Sequence, residues 1–187
     1  MKKIETKRLE TDRLILRKFE EDDYKEMFDN WASDEEVPKY VRFKIHKTYD
    51  DTKTIIDKWL GKYETGCFNW VAELKETKEI IGNIEVISIS ERNNNCELGY
   101  VFGSKYWGNG YATEIVKKVI DYLFEEYNFH LIEAKHHSPN LASGRVMEKC
   151  GMKKECSLRE RRYNENTNSY DDLIMYSITK DEWNMSK

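Results

Sequence analysis

The feature that most constrains the fold is one stretch in which a strand, a glycine-rich loop and a long helix follow one another. Apolar residues alternate along residues 96–102, as in a strand with one buried face. Gly103, Gly108 and Gly110 follow. The next residues carry apolar side chains at the 3.6-residue period of an amphipathic helix: Ala112, Ile115, Val116, Val119, Ile120, Leu123, Phe124 and Tyr127. A glycine-rich loop at a helix N-terminus presents unpaired N–H groups and the positive end of the helix dipole, so it predicts an anion site suited to phosphate.

Two common nucleotide-binding loops do not fit this stretch. A P-loop requires Lys and then Ser or Thr directly after its last glycine, whereas Asn109 and Gly110 follow Gly108. A Rossmann loop requires a third glycine where this chain has Glu114. The predicted anion site therefore fits neither class.

Two sequence elements together resemble the signature of the GNAT N-acetyltransferases. Residues 108–112 read Gly-x-Gly-x-Ala, which is similar to the family loop that holds the pyrophosphate of acetyl-CoA. Residues 140–152 read Asn-x-x-Ser-x-x-x-x-Glu-Lys-x-Gly-Met, which is similar to the element after the family's fifth strand. The resemblance extends from about Asp12 to Trp183. It is closest to the branch that includes the Rim-type ribosomal-protein N-terminal acetyltransferases.

Length and pattern indicate one domain. The 187 residues can form one substantial core and are too few for two ordinary domains. We therefore expect a single N-acetyltransferase domain over residues 1–187, with its core at about 12–183. The expected fold is α/β (α+β), with a central mixed, mostly antiparallel twisted sheet of about six to seven strands flanked by about four helices. Expected strands lie at 14–19, 68–74, 80–89, 96–102, 131–137, 152–162 and 170–178, expected helices at 20–31, 48–66, 112–127 and 138–150, and a turn at 164–169.

Charge and composition argue against several classes of protein. The net charge of −4 disfavours general nucleic-acid binding, which depends on Lys and Arg neutralising phosphates. No apolar run is long enough to span a bilayer and the N-terminus lacks a signal-like apolar region, so we expect a cytoplasmic enzyme with no membrane partner. The four cysteines have no C-x-x-C spacing and predict buried free thiols. His136 and His137 are adjacent in a strand and point to opposite faces, so we predict no metal site.

The resemblance implies acetyl-CoA as co-substrate. Backbone N–H groups at 107–113 would hold its pyrophosphate, and the strand edge at 100–102 would pair with the amides of its pantetheine arm. Asn140 matches the family residue that hydrogen-bonds that arm. The implied cofactor-binding residues are Tyr100, Val101, Phe102, Trp107, Gly108, Asn109, Gly110, Tyr111, Ala112, Thr113, Asn140 and Ser143. The family often has Gln or Arg where this chain has Trp107, so the backbone would provide most of the binding.

The proposed chemistry is direct attack of an amine on the thioester in a ternary complex. Glu97 is the predicted general base, because partly apolar surroundings would raise the pKa of its carboxyl. Glu85, on the preceding strand, is the reserve candidate. Many family members have a Tyr that protonates the leaving thiolate seven residues after the Asn, but this chain has Met147. Ser143 is then the best remaining group to hydrogen-bond the sulfur.

The sequence says less about the acceptor than about the co-substrate. Trp31, Tyr40 and Glu85 are the predicted acceptor-contacting residues, and the acidic residues 34–36 either attract a cationic amine or form solvated surface. A protein or peptide N-terminal α-amine is the preferred acceptor, and a polyamine, an amino acid or an antibiotic is the alternative. Two rival readings are a non-catalytic CoA-binding module and a thiol acyltransferase that uses Cys67 or Cys96. A homodimer is expected only by analogy with relatives.

Overall fold

The computed structural model describes residues 3–41, 43–165 and 168–187. The strands are β1 (Leu9–Glu10), β2 (Leu14–Arg17), β3 (Asn69–Leu74), β4 (Ile80–Ser90), β5 (Asn95–Phe102), β6 (Leu131–His137), β7 (Lys153–Asn164) and β8 (Ser169–Thr179). The α-helices are α1 (Asp23–Met27), α2 (Tyr49–Thr65), α3 (Tyr111–Tyr127), α4 (Leu141–Lys149) and α5 (Lys180–Met185). A π-helix continues α1 over Phe28–Ala32, and 3-10 turns lie at Val37–Lys39 and Ser104–Tyr106.

In the described part of the chain, eight strands form one sheet in the order β1-β2-β3-β4-β5-β6-β8-β7. Every neighbouring pair is antiparallel except β5 and β6, which are parallel. The predicted fold class and the mostly antiparallel mixed sheet are therefore confirmed. The strand and helix counts were too low, because the short β1 and the terminal α5 give little periodic signal.

The sheet separates two hydrophobic clusters. The larger one joins the buried face of α3 to the sheet and includes Ile115, Val119 and Leu123, which have no exposed surface. The smaller one lies under α1 and α2 and includes Met27 and Ile56. These are the faces that the helical periodicity predicts.

Local end signals fix several helix boundaries. Thr48 begins α2 with a capping box that pairs it with Asp51, and Gly66, at φ 97°, ends that helix. A second capping box, between Thr179 and Glu182, begins α5. Asn140 caps α4, so the helix begins after Pro139, later than the expected start at 138. Of the predicted turn at 164–169, residues 166–167 lie outside the described residues.

Three observations concern membrane-spanning helices, metal ligands and thiols. Among the described residues, none of the helices combines the length and apolar character needed to cross a lipid bilayer. That same part of the chain contains no group of three or more His, Cys, Asp or Glu side chains that could hold a metal ion. The expectation of buried thiols is half right, since Cys96 and Cys150 are buried while Cys67 is half-buried and Cys156 is exposed.

Candidate active site

The candidate site lies where the two parallel strands of the sheet separate. The pairing between β5 and β6 stops at Leu98 and Ala134. Beyond that point β5 continues to Phe102 and β6 continues to His137 without pairing to each other. Facing strand edges of this kind can accept an extended ligand whose amides complete the ladder.

The glycine-rich loop follows β5 at the open end of this gap. Gly108 has φ 79° and Gly110 has φ 80°, and both lie in the left-handed region that favours glycine. A Cβ added at Gly108 would meet no atom within 4 Å, whereas one at Gly110 would lie 3.6 Å from Nη2 of Arg13. The two glycines are therefore required by the backbone conformation, and Gly108 in addition faces open space.

The loop presents a run of free donors at the start of α3. Within the described part of the chain, the backbone N–H groups from Gly108 to Thr113 have no hydrogen-bond partner, and the next one, of Glu114, donates to the Gly110 carbonyl at 3.1 Å. Residues 107–110 are exposed and residues 111–113 are half-buried. Because the positive end of a 17-residue helix adds to these donors, the loop fits a phosphate group.

Arg13, the residue before β2, holds this loop in place, and the sequence analysis did not identify it. Its Nη1 donates to the Asn109 carbonyl at 3.0 Å, its Nε donates to Glu114 Oε2 at 2.7 Å, and its guanidinium lies 4.5 Å from the centre of the Tyr111 ring. Burial alone would raise the pKa of the Glu114 carboxyl, but hydrogen bonds from Thr11 and Arg13 outweigh it and lower that pKa. Glu114 thus stays paired with a cation beside a site suited to anions. No local pattern could identify Arg13, because 96 positions separate it from Asn109.

Trp107 contacts the end of β5. Its Nε1 donates to the Phe102 carbonyl at 2.8 Å, and its ring stands 6.0 Å from that of Tyr40 in an edge-on arrangement. One backbone acceptor of the predicted pantetheine edge is therefore already hydrogen-bonded to a side chain. Of the other edge residues, Val101 packs against the smaller hydrophobic cluster and Tyr100 against the larger one.

The predicted Asn140 and Ser143 lie across the gap, at the start of α4. The Asn140 side chain accepts a hydrogen bond from the Ser143 N–H at 3.1 Å, which is a helix cap. The Ser143 hydroxyl is 2.8 Å from the hydroxyl of Tyr100 on β5. Burial raises the pKa of the Tyr100 phenol well above its usual range, so the phenol is neutral and can donate. The structure thus adds a second hydroxyl to the one predicted at Ser143, while Met147 is buried.

Glu97 is buried on β5, but a cation accompanies it. Its Oε2 accepts from Lys135 Nζ on β6 at 2.7 Å, and both side chains are less than one-fifth exposed. The carboxylate therefore has a cationic partner, which the prediction of partly apolar surroundings did not include. The reserve candidate, Glu85, lies opposite Gly99, which shares a sheet face with Glu97.

The structure does not bring the predicted acceptor-contacting residues together. Trp31 has no exposed surface and belongs to the smaller core cluster, so its assignment to an acceptor surface is corrected. Tyr40 is half-buried beside Trp107. Asp34 accepts from the Ser104 N–H at 2.9 Å, and this hydrogen bond positions the start of the loop. Although burial would raise the pKa of Asp34, hydrogen bonds from Ser104 and Glu36 lower it.

A small cavity adjoins the gap on the face that Glu97 occupies. Its volume is about 70 Å³, and it is lined by Val41, Phe43, Lys44, His137, Arg162, Tyr163, Asn164 and Glu165. The segment before α2 and the β7–β8 hairpin therefore form its walls, and the end of β6 forms its base. The residues predicted from the sequence to contact the acceptor did not include His137.

Comparison with known proteins gives consistent matches over most of the chain. Residues 13–153 match the family described as Acetyltransferase (GNAT) domain. YoaA of Bacillus subtilis, named as an uncharacterized N-acetyltransferase, is 34% identical over 173 residues, which cover 92% of this chain and 96% of YoaA. YdaF of the same organism, described as a candidate ribosomal N-acetyltransferase, is 28% identical over 152 residues, 80% of this chain and 81% of YdaF. The crystal structure of a GNAT-family acetyltransferase from Bacillus anthracis superposes with a TM-score of 0.82 at 29% identity and covers 94% of this chain and 99% of that one.

Proposed function

The chain belongs to the GNAT acetyltransferase family, and from that premise we propose that it transfers the acetyl group of acetyl-CoA to the N-terminal α-amine of a protein or peptide. Acetyltransferase chemistry of the GNAT type follows from the family match over residues 13–153. The acceptor class is our proposal. The candidate ribosomal acetyltransferase YdaF, which is related over most of its length, supports it.

The observation that carries the proposal is the run of unpartnered N–H groups from Gly108 to Thr113, within the described residues. They converge at the N-terminus of α3 and would hold the pyrophosphate of acetyl-CoA. The pantetheine arm would then enter the gap between β5 and β6, which brings the thioester toward the face that carries Glu97. Arg13 would hold the loop in this conformation through the Asn109 carbonyl.

The ease of deprotonation favours an α-amine over a lysine side chain. An α-amine with a pKa near 8 is about one-tenth neutral at pH 7, whereas a lysine amine near 10.4 is neutral only about once in 2,500 molecules. The difference amounts to about 3 kcal/mol. A site with a modest base therefore suits an α-amine.

The size of the cavity also favours the N-terminal amine of a peptide as the acceptor. A volume of about 70 Å³ admits an amine and its first carbon atoms, because one water molecule occupies about 30 Å³ in the liquid. The remainder of an acceptor would lie outside, next to the exposed rings of Tyr163 and Tyr170, whose centres are 5.1 Å apart. Such rings suit contact with an extended peptide.

In the proposed reaction the amine nitrogen attacks the thioester carbonyl, the C–N bond forms and the C–S bond breaks. The amine loses one proton and the CoA sulfur gains one, so the step needs a base and an acid. Glu97 remains the base predicted from the sequence, reached through water. The hydroxyls of Ser143 and Tyr100, 2.8 Å apart, are the proposed donors to the sulfur.

The role of Glu97 makes a specific prediction. Glu97→Gln keeps the shape of the side chain but cannot take a proton. If Glu97 is the base, kcat should therefore fall most where the carboxylate is ionised and should lose the decline at low pH that its protonation causes, while the Kd of acetyl-CoA stays unchanged. Steady-state rates between pH 6 and pH 9 with calorimetric binding measure both. Identical pH–rate profiles for the variant and the wild type would exclude the role.

The environments of Cys67 and Cys96 do not support the alternative in which a cysteine thiol is the nucleophile. Burial raises the pKa of the Cys96 thiol to about 12, and burial also raises the pKa of Cys67. A nucleophilic cysteine needs the opposite shift, because the thiolate is the reactive form.

Release of free thiol from acetyl-CoA tests the proposed function. The panel contains an unblocked tetra-alanine peptide, the same peptide N-acetylated with a lysine added, spermidine and an aminoglycoside. We expect thiol release with the unblocked peptide and little with the N-acetylated one. A preference for spermidine or the aminoglycoside would identify a small-molecule enzyme, and acetyl-CoA binding without turnover of any amine would indicate a binding module. Light scattering of the same sample tests the predicted homodimer.

A further inference from the structure

We infer that His137 is a further catalytic residue, which accepts the proton of the attacking amine at the base of the acceptor cavity, with Asp171 as its positioning residue. The inference rests on the proposed function, since it assigns a role within the acetyl transfer. It differs from the sequence-based assignment in naming His137 instead of Glu97 as the first proton acceptor.

His137 and Asp171 form a buried pair. The Nδ1 atom of His137 lies 2.9 Å from Asp171 Oδ2, and the two residues are 4% and 8% exposed. An ionised carboxylate can only accept hydrogen bonds, so the shared proton belongs to Nδ1. The neutral imidazole then has its lone pair on Nε2, the form that a general base requires.

Asn164 fixes this pair in place. Its Nδ2 donates to Asp171 Oδ2 at 3.2 Å and to the Lys39 carbonyl at 3.0 Å. One side chain therefore joins the loop before α2, the β7–β8 hairpin and the carboxylate that orients His137. Such support keeps a reactive group in one orientation.

The other ring nitrogen of His137, Nε2, lacks a hydrogen-bond partner among the described residues. Within the described residues, Nε2 is buried and has no hydrogen-bond partner, and His137 lines the 70 Å³ cavity. A buried polar atom left without a partner is destabilising, because it has lost its hydrogen bonds to water and gained none in the protein. An N–H group of an amine in the cavity would supply the missing donor, so the site fits a primary amine.

His137 also lies near the strand edge that is proposed to bind the pantetheine arm. Ala134 is the last β6 residue paired to β5, opposite Leu98. If that ladder continued in register, His137 would face Val101, which belongs to the edge proposed to bind pantetheine. Side chains alternate along a strand, so His137 shares its sheet face with Lys135, the partner of Glu97. The cavity and the proposed thioester position therefore lie on neighbouring parts of one surface.

The chemistry balances without a further reactant. The amine nitrogen bonds to the acetyl carbon, and its proton moves to Nε2 of His137, which gives an imidazolium next to the Asp171 carboxylate. The carboxylate stabilises that cation. The sulfur leaves with the C–S electron pair and takes a proton from the Tyr100–Ser143 hydroxyl pair, and solvent returns both groups to their starting protonation states.

The other titratable or charged groups near His137 are in contact with their own partners. They are Lys44 ahead of α2, His136 on β6, Arg162 and Tyr163 on β7, and Glu165 after β7. Lys44 forms an ion pair with Glu165. Burial lowers the pKa of the His136 imidazole, which points to the opposite sheet face and contacts Tyr176. A change in the acidic part of the rate profile on replacing His137 would therefore report on the His137–Asp171 pair.

The experiment compares His137→Gln, Asp171→Asn and Glu97→Gln, with the tetra-alanine peptide as acceptor. His137→Gln should reduce kcat by about 100-fold or more, the usual contribution of a general base, and should leave only that part of the acidic limb which comes from ionisation of the amine itself. Asp171→Asn should reduce kcat less and shift that limb. The Kd of acetyl-CoA should stay within about twofold in all three, which also shows that the variants are folded.

His130→Gln is the matched control, because His130 is an exposed histidine before β6. It should retain the kcat and pH profile of the wild type. If Glu97→Gln removes the acidic limb and His137→Gln does not, the inference is wrong while the proposed function stands.

Nitrogen-15 NMR of the imidazole gives a test that needs no turnover. We expect a neutral ring with its proton on Nδ1 and a change in the Nε2 signal when tetra-alanine peptide is added. A ring protonated on Nε2 in the neutral form, or an Nε2 signal that does not respond to the peptide, would overturn the inference even if the enzyme were inactive toward that acceptor.

Discussion

Replacing Gly108 with alanine should separate the cost of backbone strain from the loss of ligand binding. Gly108 has φ 79°, where an L-residue costs about 1–2 kcal/mol. The new methyl group would meet no atom within 4 Å, so no steric term is added. For a chain of this size each 1 kcal/mol lowers Tm by about 2–4 °C, so we expect a decrease of about 2–8 °C.

The effect on binding should be larger than this strain suggests. The methyl group would occupy the open side of a loop whose N–H groups have no partner within the described chain. Losing one hydrogen bond between a backbone N–H and a charged phosphate costs about 1.5–3 kcal/mol, which corresponds to about a 10- to 150-fold rise in the Kd of acetyl-CoA. Titration calorimetry measures the Kd, and thermal unfolding measures Tm.

Two further alanine variants make the comparison interpretable. Gly110→Ala introduces similar strain, at φ 80°, but its methyl group would lie 3.6 Å from Arg13, so binding should weaken less than in Gly108→Ala. Gly61→Ala, in the exposed middle of α2, should raise stability by about 0.5–1 kcal/mol and leave the Kd unchanged. Wild-type affinity in Gly108→Ala, together with the expected decrease in Tm, would refute the assignment of the phosphate site.

Two other predictions concern the leaving group and the C-terminal helix. Tyr100→Phe keeps the ring but removes the hydroxyl that lies 2.8 Å from Ser143 Oγ. We therefore expect kcat to fall about tenfold or more while the Kd of acetyl-CoA stays unchanged. An unchanged kcat would exclude the hydroxyl pair as the acid. Glu182 has its pKa lowered to about 2 by hydrogen bonds from Lys153 and Thr179, so its stabilising effect is full above about pH 4.5 and is lost as pH falls toward 2. Glu182→Gln keeps a side chain that can complete the capping box but loses the ion pair with Lys153, so it should lower the free energy of unfolding by about 0.5 kcal/mol at pH 7. Urea unfolding at pH 3 should show a smaller difference, and an equal difference at both pH values would contradict the assignment.

Strong local signals explain why most of the fold could be predicted. Alternation located β6 with its observed ends, and the 3.6-residue period located α3 to within one residue. Thr48 marked the start of α2 through its capping geometry. The misses occurred where the signal was short or atypical. Two residues of β1 show no periodicity, and the first helix continues as a π-helix that turns Trp31 into the core.

The sequence by itself determined the strand–loop–helix unit and the family, because glycine conformation, helix capping and side-chain periodicity act over a few neighbouring residues. Only the tertiary structure decided which distant side chains meet. Arg13 reaches Asn109 across 96 positions, and His137 meets Asp171 across 34. Those contacts depend on strand order and on the face that each residue presents, and long-range packing fixes both. Lys135, which accompanies Glu97, is a further contact that only the sheet register brings together.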